Sequence, residues 1–332
     1  FHFRPGGQAT LYYQLQCNRR GYHQVGPLMV ETGDLFGLDR RYRMLTSPAF
    51  LLVYPEIAPL QGYDLASRTP LGDIRMTHRL YEDPTRIAGV RAYEAGDPLN
   101  RVHWRATART GTLHSKVYET SSLVGATLLL DFHQADFDPR HEPYRSELAV
   151  MAAASIAHAV YEMGQQIGLV TNGRDAADRI RQHGFEGEQR SRNAARRLGE
   201  MHEHSDRLQP IIVDTRRGPE QLLRIMEVLA RVELTDGLSF AQLILETGHR
   251  LPRNATVIAV VSQPSDEIAA ALGELSRRGM AVRAVINMYD EDDFIEAAGR
   301  LLAQGITSSH LHSRETVVDV CRELRMGHVA SL

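Results

Sequence analysis

From Thr10 to Cys17 apolar and polar positions alternate, with Leu11, Tyr13, Leu15 and Cys17 on one side and Thr10, Tyr12, Gln14 and Gln16 on the other, which predicts a half-buried strand. Turn formers at 18–21, at Gly26-Pro27 and at Gly33-Asp34 separate short β-prone runs at 28–31, 41–45 and 50–54. Residues 1 to about 120 thus read as antiparallel and mostly β. After Ser122 the pattern changes. Residues 123–130 form an almost unbroken apolar run ending in Asp131, and a long helical pattern follows over 146–164. Continuous apolar strands alternating with helices predict a parallel sheet covered on both faces. The alternation continues with strands at 167–171, 211–213, 256–261 and 281–287, and with a helix opened by Pro219. A further helix is expected over 266–278. Ser265 caps it, Asp266 and Glu267 suit its first turn, Arg277 and Arg278 suit its last, Gly279 stops it, and Ile268, Leu272 and Leu275 form its buried stripe. The fold class expected is therefore α/β plus β, an N-terminal antiparallel β domain (1–122) followed by a doubly wound α/β domain (123–332).

Composition narrows the classes. At 332 residues the chain exceeds one ordinary domain, and 43% hydrophobic with 24% charged residues describes a globular protein. The net charge of -3 calls for neither nucleic acid nor an anionic membrane. Basic residues exceed acidic ones in the first 122 residues and the reverse holds afterwards; Lys116 is the single lysine. Cys17 and Cys321 stand near opposite ends, a distribution that fits a reducing compartment and provides neither a disulfide framework nor zinc spacing. The longest apolar stretch, between Glu147 and Glu162, is too short to span a bilayer and includes Ser155 and His158. The chain begins at Phe1 without methionine or signal peptide, and is expected to be the soluble part of a longer one.

The glycine loops of phosphate and dinucleotide sites, the nucleophile elbow and the zinc-protease helix are all missing, which favours a non-enzymatic role. His202 and His204 diverge on a helix. His310 and His312 share a face if extended, but two imidazoles are an incomplete metal site. The densest unusual segment is 89–119, where Arg91, Arg101, Arg105 and Arg109 surround the only tryptophan, Trp104. Two readings compete: an anion or nucleic-acid surface built from arginine forks, and a structural latch. In the latch, which is preferred, Trp104 is buried at the junction of the two domains, and Arg91 or Arg109 bonds Asp97 or turn carbonyls.

This segment resembles the signature of the domain of unknown function 58 family, bacterial proteins associated with MoxR. The matching positions are Arg91, Tyr93, Gly96, Asp97, Val102, Trp104, Ala108, Arg109, Gly111 and Leu113. Arg20-Gly21-Tyr22, residues 34–38, Val53-Tyr54-Pro55, residues 222–230 and Asp236-Gly237 are similar to the family as well. The resemblance implies a β domain followed by a von Willebrand factor A-like, Rossmann-like domain, commonly behind an N-terminal membrane hairpin that is not in this sequence. It implies a membrane-tethered adaptor at the cytoplasmic face. Its partner would be a MoxR-type AAA+ ATPase, with a role in assembly or maturation of a client complex. Where metal-binding A domains carry Asp-x-Ser-x-Ser, this chain has Asp131, His133 and Ala135; Ser239 and Ser262 would stand at the two later ligand positions. Mg²⁺ wants oxygen ligands and at least one or two carboxylates, so no metal and no cofactor are expected. Ser239 also reads as a capping box with Gln242. The interaction surface is expected in the loops after Asp131, Thr171 and Val261. The enzymatic alternative is a metal-assisted hydrolase at Asp131 and His133.

Overall fold

The structure, a computed structural model, describes residues 10, 12–34, 36, 38–58, 81–94, 102–121, 125–180, 188–189, 191–202, 209–253 and 255–330. The N-terminal region is antiparallel β. Strands β1 (Gly21–Val25) and β4 (Ala49–Val53) pair with Gly21 opposite Val53, and Tyr22 stacks on Phe50 with ring centroids 5.2 Å apart. Strands β2 (Met29–Gly33) and β3 (Arg40–Met44) form a second pair. The long hairpin of β5 (Tyr81–Ala92) and β6 (His114–Ser121) carries the short helix α1 (Trp104–Thr110) between its strands. Residues 12–17, expected as a strand, are not one: Tyr12 is 93% exposed and Leu15 is exposed too. Alternation licenses a strand only where a neighbour pairs its edge, and residues 12–17 have no strand partner among the described residues.

The second half is built on six strands: β7 (Gly125–Leu130), β8 (Gln166–Thr171), β11 (Ile211–Arg216), β13 (Ala255–Val261), β14 (Val282–Ile286) and β15 (Thr307–His310). Their order across the sheet is β11-β8-β7-β13-β14-β15. Numbered along the chain, that is 3-2-1-4-5-6, the doubly wound order that reverses between the first and fourth strands. The sheet is not wholly parallel, as the sequence had predicted, because β11 runs antiparallel to β8. The connection from β8 explains this. It passes through β9 (Arg174–Asp175), β10 (Glu188–Gln189) and α3 (Arg192–Gly199), and β10 pairs with β3 while α3 packs against β3. With those elements laid against the N-terminal sheet, no crossover helix covers the central one, and an antiparallel return needs none. Gly168 lets β11 approach, since a Cβ there would stand 2.4 Å from Thr215 Oγ1.

Helices α2 (Tyr144–Glu162), α4 (Pro219–Arg231) and α8 (Thr316–Ala330) cover one face; α5 (Phe240–Thr247), α6 (Asp266–Arg277) and α7 (Glu291–Leu302) cover the other. Pleating sends Leu128 and Leu130 into the first core and Leu129 into the second, all fully buried. The apolar stretch that is too short for a bilayer is the central core helix α2, buried on nearly all sides. Among the described residues, no helix is long and apolar enough to cross a membrane. Helix α6 starts and stops where expected, with Ser265 accepting the Ile268 N–H and Gly279 at φ +88°.

Arg20 ties the β region to the α/β sheet. Its Nε donates to Glu147 of α2 at 3.1 Å, and its NH1 donates to the carbonyls of Leu229 (2.6 Å) and Val232 (2.9 Å). Val232 opens β12 (Val232–Glu233), so one guanidinium caps the carboxyl end of α4 and lies 5.7 Å from the Phe132 ring. The crossing falls between the two expected domains.

Candidate functional site

The order reversal places the ends of β7 and β13 side by side, and Asp131 and Ser262 follow them directly. Asp131 is buried, and its N–H bonds the Val260 carbonyl at 3.0 Å. Its Oδ1 accepts the His133 N–H and the Asn172 amide, each at 3.2 Å. Oδ2 is buried without a hydrogen-bond partner. Burial above all, then the neighbouring carboxyl of Asp136, pushes Asp131 up to about 8. Burial raises Asp136 too. Burial and the neighbouring carboxyl both favour the protonated form of Asp131.

Asn172, which sequence reading missed, joins the loops. Its Oδ1 accepts the Phe132 N–H at 2.7 Å, and its Nδ2 donates to the Leu238 carbonyl at 3.0 Å as well as to Asp131. The 235–239 loop thereby lies against the Asp131 loop, where His133 also bridges Thr235. An asparagine directly after an apolar strand was the available signal. All five positions of the degenerate site therefore sit along one edge of the sheet.

Their chemistry does not fit a hard divalent ion. Ala135 presents no side-chain oxygen, and the His133 imidazole accepts the Ala135 N–H at 3.3 Å while standing 3.8 Å from Asp136. Ser239 caps α5 in a reciprocal box with Gln242, and Ser262 Oγ faces the Asn287 amide at 3.4 Å. The Asp131 oxygen that does have partners has two N–H donors on it, which a cation would have to displace.

The signature segment is arranged otherwise than expected. Trp104, the first residue of α1, is 67% exposed, so it does not fill a domain junction. Helix α1 has no buried residue; it is held by the His103 imidazole accepting the Ala106 N–H at 3.0 Å and by Gly111 at φ +74°. Among the described residues of this segment the buried ones are Val102 and Ser115, bridged to each other. Burial of apolar side chains is a tendency that a single residue can break. Arg91 donates to the Ala92 carbonyl at 3.0 Å and lies 3.6 Å from Glu94; the Tyr93 N–H bonds the Leu113 carbonyl. Ala108 and Arg109 are exposed, and Arg105 and Arg109 make no ion pair among the described residues. Gly96, Asp97 and Arg101 lie outside the described residues, and with them the expected Asp97 bonds. His310 and His312 do come together, with ring centroids 5.2 Å apart.

Residues 89–299, from the signature hairpin to α7, match the family described as "Protein of unknown function DUF58". The chain belongs to this family. Among curated relatives of this DUF58 protein is the "Uncharacterized protein YeaD" of Bacillus subtilis (strain 168), 28% identical over 167 residues. That alignment takes in 50% of this chain and 40% of the relative, so the chain spans less than half of that relative's length. Solved structures with a partial likeness include proximal thread matrix protein 1 of the mussel byssus, at 10% identity and TM-score 0.34, covering 62% of this chain and 45% of that one. Another is the pilus adhesin SpaC of Lactobacillus rhamnosus GG in its open conformation, at 10% identity and TM-score 0.40, covering 64% and 31%. At these scores neither bears on function.

Proposed function

We propose that this DUF58 protein is a non-enzymatic protein-binding adaptor built on a von Willebrand factor A-like domain. The strand order 3-2-1-4-5-6 with an antiparallel third strand supports the A-like reading. The observation that carries the adaptor reading is the exposure of Trp104, at the start of the helix between the strands of the β5–β6 hairpin. Tryptophan and arginine dominate interface hot spots, and here Trp104 is accompanied by Arg105 and Arg109 and by half-exposed Val90 and Leu113. These exposed basic and apolar side chains suit an acidic partner surface with a pocket for the indole. The family resemblance supports a MoxR-type AAA+ ATPase as that partner, and a longer, membrane-tethered chain as the setting at the cytoplasmic face. Against a hydrolase, Asp131 is buried and its Oδ1 is already held by the His133 N–H and the Asn172 amide.

The test measures melting and affinity for a purified MoxR-type ATPase on Trp104→Ala and Arg109→Ala. With the indole 67% exposed, the melting temperature should stay within a degree or two, while affinity falls at least tenfold, about 1.4 kcal/mol. Lower melting with binding retained would return Trp104 to a structural role and remove the adaptor face from this hairpin.

A further inference from the structure

Arg145, in the first turn of α2, sits at the carboxyl edge of the central sheet and is only 4% exposed. Its NH1 donates to Asn287 Oδ1 at 3.2 Å and to the carbonyls of His312 at 3.1 Å and Leu311 at 3.4 Å. NH2 is buried with no hydrogen-bond partner, and Arg145 has no ion pair among the described residues. A buried guanidinium with no counter-charge, and with one of its nitrogens left without an acceptor, is costly for a fold to keep. The rings of Tyr144 and Tyr289 lie 5.9 and 5.4 Å from it and offset part of that cost through their π faces. They do not neutralise it.

Three surroundings point to what would. Helix α2 begins at Pro143 without a side-chain cap, so its positive end adds to the charge, although Glu142 accepts the N–H and hydroxyl of Ser146 nearby. His310 and His312 stand beside the guanidinium, with the His310 ring stacked on Phe294 and bonded to the Met288 carbonyl. Tyr289 is 73% exposed and stacks on His141, so one of the two rings beside the guanidinium stands at the surface. The guanidinium itself favours an anion and a neutral ligand leaves its charge uncompensated, although the acidic run Asp290-Glu291-Asp292-Asp293 follows Tyr289 and Glu291 acts on His310. We propose that Arg145 forms the floor of an oxyanion site, taking one carboxylate or phosphate group between Tyr144 and Tyr289. The site is remote in sequence from the Trp104 hairpin and does not rest on the adaptor reading. Its oxyanion arrives either as a free small molecule or on an acidic side chain of a docked protein, and arginine serves both.

The experiment titrates the purified chain with inorganic phosphate, acetate and hexaglutamate against chloride at matched ionic strength, reading the His310 and His312 imidazole resonances and the melting temperature. Saturable shifts with phosphate or acetate, weakened at least about tenfold in Arg145→Lys, establish a free-oxyanion site. Shifts with hexaglutamate alone, lost in the same variant, establish a carboxylate borne by a protein chain. Tyr289→Glu guards against a misfolded Arg145→Lys. At that exposed position the new carboxylate should occupy the guanidinium, raise the melting temperature and abolish anion binding. Absence of saturable shifts with all three probes, or equal shifts in Arg145→Lys and Tyr289→Glu, would overturn the proposal.

Discussion

Asp131 holds its proton because burial and the Asp136 carboxyl outweigh the donors from His133 and Asn172, and its folded-state value of about 8 lies above the ordinary carboxylate range. From about pH 4 to about pH 8 the folded chain therefore binds more protons here than the unfolded chain, and stability falls as pH rises through that window. The slope for one such group is at most about 1.4 kcal/mol per pH unit. Asp131→Asn, which has no proton to lose, should flatten the fall in unfolding free energy between pH 5 and 8, measured by urea denaturation at each pH. Parallel profiles for the two proteins would show that Asp131 is ionised throughout. The acid after the first strand was legible in the sequence. Its pairing with Asp136 was not, because a short 3-10 turn at Gln134–Asp136 brings the two acids together.

Between elements, Arg20 performs the joining role expected of Trp104. It reaches from the segment before β1 to α2 and to the carboxyl end of α4, where it caps carbonyls that the helix leaves without donors. Arg20→Met should cost about 3 kcal/mol in urea unfolding, chiefly from those uncapped carbonyls. Glu147 is 40% exposed at its side chain, so Glu147→Gln should cost well under half as much. Equal losses in the two variants would place the energy in the ion pair instead of the cap. The Arg20-Gly21-Tyr22 motif was visible in the sequence, but a capping partner some 210 residues away in the chain has no local signature.

Over the whole molecule, stability should be distributed unevenly. Strands β7 and β13 lie at the centre of the sheet between two cores, whereas among the described residues the β5–β6 hairpin pairs only with itself and packs on α1. A two-stranded ribbon is marginal by itself. Amide exchange should accordingly be slowest at 126–130 and 256–261, requiring global unfolding, and orders of magnitude faster at 89–92 and 114–116. Binding of a partner to the hairpin should slow exchange there alone. Equal protection of hairpin and central strands would mean that the hairpin belongs to the same cooperative unit.

Local physics was enough for what depends on a few consecutive residues. The switch from alternating to continuous apolar runs near Ser122 marked the change from antiparallel strands to a covered sheet, and the caps of α5 and α6 were readable because a hydroxyl, its amide partner and a buried stripe lie within one or two turns. The direction of β11, the exposure of Trp104, the cap that Arg20 provides and the unpaired NH2 of Arg145 were decided only by tertiary structure. Each depends on what another part of the chain supplies: elements laid against β3, a hairpin that buries Val102 and Ser115 instead of the indole, a helix end some 210 residues on, or strand ends that leave one donor unanswered. Periodicity reports which face of an element is apolar. It does not report what meets that face, and burial, pairing and charge compensation are all properties of the meeting.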